Sequence, residues 1–136
     1  MKKEEKQLLL KDICARLPYG VFLNIEQYDG TNIYRMLKDI TDAYNPDIAE
    51  IYVDGDDMVG ESFYVGETIK PYLRSMSSMT EEEENKYNSL NAYEGGIFPH
   101  TEEAFDWLNA HHFDYRGLIE KGLAIEVTEE NNPYKN

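Results

Sequence analysis

The spacing of apolar residues changes abruptly near residue 20, and this limits the chain to a fold that mixes helices and strands. Over residues 4–17, leucine, isoleucine and cysteine recur every three or four positions, which predicts a helix with one buried face. Pro18 and Gly20 end that helix. Apolar and polar residues then alternate over 21–28, which predicts a half-buried strand.

The middle of the chain predicts further short strands. Residues 32–42 match both helical and strand spacing. We favour a strand because they follow the reversal signal Asp29-Gly30 and contain threonine, isoleucine and tyrosine. Residues 49–54 and 63–65 are clearer strands. Together these segments predict a small antiparallel sheet or partial barrel.

The second half of the chain predicts two or three helices and a closing strand. Thr80 and Glu83 have the spacing of a capping box, which predicts a helix over 80–91. Two later polar residues are candidate caps: Thr101 for a helix over 102–112, and Asp114 for a short third helix. Residues 123–127 then read as the closing strand.

These elements predict one α+β domain over residues 1–127, with a flexible tail over 128–136. The single cysteine, Cys14, lies in the helical stripe and is expected to be a core residue. It excludes an internal disulfide. No apolar run approaches the roughly 20 residues of a membrane span, and the basic start lacks a secretion signal. We therefore expect a cytoplasmic protein with no membrane association.

The charge of the chain is strongly negative and unevenly distributed. The formal net charge is −14, and residues 26–67 hold two basic and eleven acidic residues. Phosphate backbones repel such a surface, so we expect no direct nucleic-acid binding. The acidity either keeps the chain soluble or imitates nucleic acid towards a basic protein.

Two polar clusters contain residue types that can bind metals, but neither has ligand spacing. The run Asp54-Gly55-Asp56-Asp57 does not fit a calcium loop and reads as a turn. His111 and His112 are adjacent and, with His100, lack the four-residue spacing of a helical zinc pair. No catalytic signature or phosphate loop is present. We therefore expect no metal, no cofactor and no catalytic residue.

Candidate ligand- or partner-binding residues fall in two stretches rich in aromatic and cationic side chains. In the first, Lys70, Tyr72 and Arg74 share one face if the segment is extended. Arg74 and Arg116 either pair with carboxylates of the same chain, docking the sheet onto the helices, or form a fork for an anion.

The second stretch holds the other candidates, Trp107, His112 and Tyr115. We predict that residues 107–122 are a structural hub, because the only tryptophan lies beside other apolar residues on a helix. The alternative is an exposed binding face with Trp107 as a hot spot.

Three stretches carry a family resemblance. They are Lys-Pro-Tyr-Leu-Arg-Ser-Met-Ser-Ser-Met-Thr-Glu-Glu-Glu within 69–83, Trp-Leu-Asn-Ala-His-His-Phe-Asp-Tyr-Arg-Gly-Leu-Ile-Glu-Lys-Gly-Leu-Ala over 107–124, and, more weakly, residues 8–21. They resemble small uncharacterised proteins of gut Bacteroidales genomes, often encoded in phage-like or mobile regions. The resemblance implies an intact small domain of that origin, and it assigns no activity and no catalytic residue.

We therefore expect a non-enzymatic protein-interaction or accessory module of a phage-like or mobile element, with an unidentified protein as its partner. One alternative is an acidic nucleic-acid mimic that inhibits a DNA-binding enzyme. A second alternative is a small enzyme that uses Arg74, Arg116 and His112 in a cleft.

Overall fold

The order of helices and strands along the chain is close to the one that the apolar spacing predicts. The computed structural model describes residues 1–54, 62–93, 96–97 and 101–135. Its three α-helices are α1 (Lys3–Arg16), α2 (Glu81–Leu90) and α3 (Glu102–Ala110). Its strands are β1 (Phe22–Glu26), β2 (Asn32–Thr41), β3 (Glu50–Val53), β4 (Ser62–Tyr64), β5 (Ile69–Leu73), β6 (Ala92–Tyr93), β7 (Gly96–Ile97) and β8 (Ile125–Glu126).

Six of these strands form one open sheet in the order β4-β3-β2-β1-β5-β8, and β6 pairs with β7 separately. All neighbours in the large sheet are antiparallel except β5 and β8, which are parallel. The predicted α+β class is confirmed. The sheet is mixed because the chain crosses over through α2 and α3 before it returns as β8. In the segment 32–42, which matched two patterns, the strand β2 covers all but the last residue, so the strand prediction is confirmed.

The core lies between α1 and one face of the sheet. Leu9 and Ile13 of α1 have no exposed surface, and they belong to one buried cluster with residues from several strands: Val21, Leu23, Ile25, Leu37, Ile51, Val53, Ile69 and Leu73. Cys14 packs at the edge of this cluster, and burial raises the pKa of its thiol. We call the side covered by α1 the inner face and the opposite side the outer face.

Both helices of the second half begin at the predicted caps. Thr80 Oγ1 accepts from the Glu83 amide at 3.1 Å, and the Glu83 carboxylate accepts from the Thr80 amide at 2.9 Å. Thr101 Oγ1 accepts from the Ala104 amide at 3.1 Å. These bonds satisfy amides that the first turn of a helix leaves unpaired.

The predicted third helix after Asp114 is absent, and turns take its place over residues 115–122. The Asp114 carboxylate does accept from the amides of Leu118 and Ile119, at 2.8 and 2.9 Å. A right-handed helix cannot continue, because Gly117 and Gly122 have φ of +78° and +73°.

The packed domain extends beyond residue 127, where we predicted that a flexible tail begins. The Tyr134 hydroxyl donates to Tyr72 O at 2.8 Å, and the Tyr134 ring lies 5.5 Å from the Phe22 ring. The composition of residues 128–136 suggested fraying, but it did not reveal that this one aromatic ring packs against the sheet.

Candidate functional site

A buried charged cluster joins α1 to the segment after α3. Arg16 and Asp12 have no exposed surface and lie one helical turn apart. Arg16 Nε and Nη2 donate to the two Asp12 carboxylate oxygens at 2.8 and 3.0 Å, and Nη2 also donates to Phe113 O at 2.7 Å. Arg116 Nη1 donates to Asp12 Oδ1 at 3.0 Å. We call Asp12, Arg16 and Arg116 the Asp12 cluster.

A second arginine joins the sheet to α2. Arg74, directly after β5, donates from both terminal nitrogens to the two oxygens of Glu83, each at 2.7 Å. The hydrogen bond from Arg74 lowers the pKa of Glu83 to about 2. The guanidinium carbon lies 4.2 Å from the centre of the buried Phe113 ring. We call Arg74, Glu83 and Phe113 the Arg74 junction.

The prediction that Arg74 and Arg116 pair with carboxylates of their own chain is therefore confirmed. Both arginines also stack on aromatic rings. Arg74 lies over Phe113, as described above, and the Arg116 guanidinium carbon lies 4.5 Å from the centre of the Tyr115 ring. Tyr115 is itself held by a hydrogen bond from its hydroxyl to Asn109 Oδ1 at 3.0 Å. These arginines thus already have anionic and aromatic partners.

Trp107 belongs to a row of stacked rings. Its centre lies 4.5 Å from His111, 5.6 Å from Phe113 and 6.2 Å from Tyr87. Trp107 is only half-buried, whereas Phe113 has no exposed surface. Within residues 107–122, Phe113 rather than Trp107 is therefore the ring at the centre of the packing.

His112 and Tyr134 meet where β1 and β5 separate. Their rings stack with centres 3.5 Å apart. The Tyr134 hydroxyl accepts from the Phe22 amide at 3.0 Å and donates to Tyr72 O at 2.8 Å, so it bridges the two strands. Burial raises the pKa of this phenol. Burial, together with the nearby Arg16 charge, lowers the pKa of His112 to about 4.

Two of the three residues of the enzyme hypothesis are neighbours, since the Arg74 amide donates to His112 O at 2.7 Å. His112 Nδ1 is buried and has no hydrogen-bond partner among the described residues. Arg74 is paired with Glu83, while Arg116 lines an open cleft with Lys11, Ala15, Phe105, Asn109 and Tyr115. That cleft includes neither Arg74 nor His112.

Lys70 and Tyr72 point from β5 to the outer face, as their predicted shared face requires. Lys70 is opposite Asn24 in the ladder, and the Tyr72 ring lies 5.7 Å from Tyr34 of β2. Burial, with the Tyr34 hydroxyl nearby, raises the pKa of Tyr72 to about 12. Arg74 instead turns towards Glu83, so the three residues do not form one site.

Each of four strands places one tyrosine on the outer face. They are Tyr64 of β4, Tyr52 of β3, Tyr34 of β2 and Tyr72 of β5. In each strand an adjacent residue belongs to the buried core or packs against it: Phe63, Ile51, Ile33 and Leu73. Tyr34 and Tyr64 keep 57% and 62% of their surface exposed. None of the described helices covers these two rings.

A cleft of about 290 Å³ opens on this face. It lies between Tyr34, Tyr72 and the segment of residues 130–133, and we call it the tyrosine cleft. Asn131 fixes the segment, since its Oδ1 accepts from Thr128 Oγ1 at 2.8 Å and its Nδ2 donates to Glu126 O at 3.2 Å. Glu130 is exposed at the rim, and within the described ranges no cation lies within 4 Å of its carboxylate.

Sequence reasoning missed Asp12, Arg16, Tyr34 and Tyr134. A signal existed for the first two, because an acid and a base four residues apart beside an apolar stripe can pair on one helix face. The strand alternation of β2 also places Tyr34 opposite the core. No local pattern marks Tyr134, whose partners lie 62 and 112 residues away.

Among the described residues, no group of three histidine, cysteine or acidic side chains is arranged to hold a metal ion. Asp54 pairs with Lys38 at 3.1 Å. Residues 55–57 of the acidic run and His100 lie outside the described residues.

No helix in the described part of the chain is both long enough and apolar enough to cross a membrane. Comparison with known protein families, with curated proteins and with solved structures gave no match to this chain.

Proposed function

We propose that this chain is a protein-interaction module that binds its partner through the outer face of the sheet. The observation that carries the proposal is the pair Tyr34 and Tyr64, more than half exposed on a face that no described helix covers. Tyrosine offers a large rigid ring with a polar tip, and it is enriched where proteins bind one another.

The arrangement of the charged residues supports an interaction role over chemistry. The arginines of the Asp12 cluster and the Arg74 junction are paired within the chain, and the pKa of His112 lies well below neutrality. A general acid or base needs a pKa near the working pH and access to substrate. We also propose an accessory role in a mobile element, which is what the sequence resemblance to small Bacteroidales proteins implies.

Replacement of single tyrosines tests the proposal. The tagged chain is used to capture proteins from extract of the cells that express it, with Tyr34→Ser and Tyr64→Ser as test variants. The matched control is Tyr44→Ser, because Tyr44 is 81% exposed and lies near α1, beside Gln7 and Lys11. We expect the test variants to reduce recovery of a bound protein about 5- to 30-fold, as replaced hot spots do, and the control to retain it.

Equal recovery with all three variants would contradict the proposal. A urea unfolding curve for each variant shows whether a loss of binding comes from a loss of folding. All three side chains are exposed, so we expect unfolding free energies within about 0.5 kcal/mol of the parent chain.

A second candidate function is the acidic mimic of nucleic acid, which the paired helices α2 and α3 favour. These helices contact each other, and their exposed carboxylates are Glu81, Glu82, Glu84, Glu102, Glu103 and Asp106. Lys86 is the sole cation within the two helices. On this hypothesis, duplex DNA would displace the captured protein, and replacing the six carboxylates with amides would abolish capture. The tyrosine variants would then have no effect.

A further inference from the structure

Each of two arginine contacts inside this molecule combines an arginine, an aromatic ring and an acidic residue. The tyrosine cleft is lined by aromatic and acidic residues but by no arginine. In the Arg74 junction, an arginine lies over Phe113 and pairs with Glu83. Around Arg116, the arginine lies over Tyr115 and pairs with Asp12. The cleft is lined by Tyr34, Tyr72 and Glu130 among others, and none of its lining residues is cationic.

We infer that the tyrosine cleft receives an arginine side chain of the partner, stacked on Tyr34 and paired with Glu130. This inference rests on the proposed function and narrows it to a partner with an exposed arginine. The face of an aromatic ring attracts a cation, and the planar guanidinium can stack on a ring while it donates to a carboxylate.

The size and construction of the cleft suit one long side chain. Its volume of about 290 Å³ is just below the roughly 300–1,000 Å³ typical of small-molecule sites. One wall is the sheet. The other is fixed by Asn131 and by the Tyr134 amide, which donates to Asn132 Oδ1 at 2.9 Å. Walls held in place by such bonds lose little freedom when the site is filled.

The charge of the whole chain favours the same occupant. A net charge of −14 attracts a cationic partner from a distance and repels an anionic one. Pro133 adds an apolar surface to the wall, against which the methylene groups of an arginine can pack.

The test uses three peptides that differ in one side chain. Acetyl-Gly-Arg-Gly-amide is titrated into the ¹⁵N-labelled full chain, and the amide shifts of residues 34, 72 and 130–132 are followed. The citrulline peptide keeps the shape of arginine without its charge, and the lysine peptide keeps the charge without the planar fork. We expect shifts at these residues with a millimolar Kd for arginine, weaker binding for lysine and none for citrulline.

Variants then assign the contacts. Glu130→Gln and Tyr34→Leu should each weaken binding of the arginine peptide about 3- to 5-fold, the effect of one exposed ion pair or cation–π contact. Tyr34→Phe retains the ring and should bind like the parent. Glu129→Gln is the matched charge control, because Glu129 is the exposed neighbouring acid and does not line the cleft.

Three outcomes would overturn the inference: equal shifts with citrulline, equal weakening by Glu129→Gln, or no shifts at 20 mM arginine peptide in a folded chain. The proposed function can fail separately. If Tyr64→Ser abolishes protein capture while the arginine peptide does not bind, the outer face binds a partner by other contacts. If the arginine peptide binds but protein capture is unaffected by Tyr34→Ser and Tyr64→Ser, the cleft binds arginine and the proposed protein interface is wrong.

Discussion

The Asp12 cluster and the tyrosine cleft are built from similar groups but differ in burial and in charge. In the cluster, Asp12 is fully buried between two arginines of the same chain. In the cleft, Glu130 and Tyr34 are exposed, and none of the residues that line it is cationic. Aromatic and charged residues can therefore form internal contacts or remain exposed at the surface, and their burial distinguishes the two cases.

The comparison also separates residues that the sequence singled out from one that it did not. Arg74, Arg116 and Tyr115 were candidates because they are chemically distinctive, and they serve internal contacts. Tyr34 was part of an unremarkable strand pattern, and it is among the most accessible rings of the sheet. Substitutions of internal residues, each compared with a substitution of a more exposed residue, make this difference measurable as a change in stability.

The largest expected effect comes from breaking the Asp12 cluster. Arg16→Met removes three hydrogen bonds and leaves Asp12 buried with only Arg116. Loss of one partner of a buried pair typically costs about 3–5 kcal/mol, so urea unfolding should show a decrease of that size. Arg35→Met is the control, because Arg35 is partly exposed and donates to Tyr34 O at 3.1 Å. A cost below about 1 kcal/mol for Arg16→Met would mean that the cluster does not hold α1 in place.

A smaller effect is expected at the bridge between β1 and β5. Tyr134→Phe keeps the stacked ring but leaves the Phe22 amide and the Tyr72 carbonyl without the hydroxyl. Unsatisfied buried backbone groups cost about 1–3 kcal/mol, and we expect a loss near 2 kcal/mol in urea unfolding. Tyr28→Phe, at a fully exposed tyrosine, should be neutral. If both variants unfold alike, residues 128–136 do form the free tail that the sequence suggested.

The smallest effect concerns pH. The pKa of His112 falls from an ordinary 6.5 to about 4 in the folded chain. Between pH 6.5 and 4 the unfolded chain therefore takes up a proton that the folded chain does not, and stability falls as the pH decreases. The ring is only partly buried, so we expect a loss of about 1–2 kcal/mol between pH 6.5 and 4.5, which His112→Asn should remove.

Asparagine is suited to this test because the backbone at residue 112 has a φ of +66°, which asparagine tolerates better than most residues. His111→Asn should keep the pH dependence, since His111 is exposed beside Trp107. An unchanged slope in His112→Asn would assign the loss to other groups. Below pH 4.5, protonation of Glu83 removes the stability that its lowered pKa supplies, so that range is excluded from the fit.

The elements that follow from local patterns were the ones that the sequence predicted well. The apolar stripe of α1, the alternation in β1 and the caps at Thr80 and Thr101 depend on residues within one or two turns. Of the two or three helices predicted for the second half, two form, and the optional third is absent because the positive φ of Gly117 ends the turn after Asp114.

The candidate site was predicted less well because it depends on distant contacts. The parallel pairing of β5 with β8, the insertion of Tyr134 and the wall of the tyrosine cleft join residues from opposite parts of the chain. A single sequence contains no local signal for such contacts. Arg74 and Trp107 were selected because they are cationic and aromatic. Residue type alone did not indicate whether their side chains are buried in internal contacts or exposed.

The position of β5 in the sheet also has a consequence for folding kinetics. Its two neighbours, β1 and β8, lie about 50 residues away in each direction along the chain. Contacts over such separations close large loops before they gain stabilising interactions, and folding rates fall as these separations grow. The hairpin of β1 and β2 can form early, whereas β5 must wait for a slow search. Until β5 docks, the free edge of β1 is exposed to pairing with other chains.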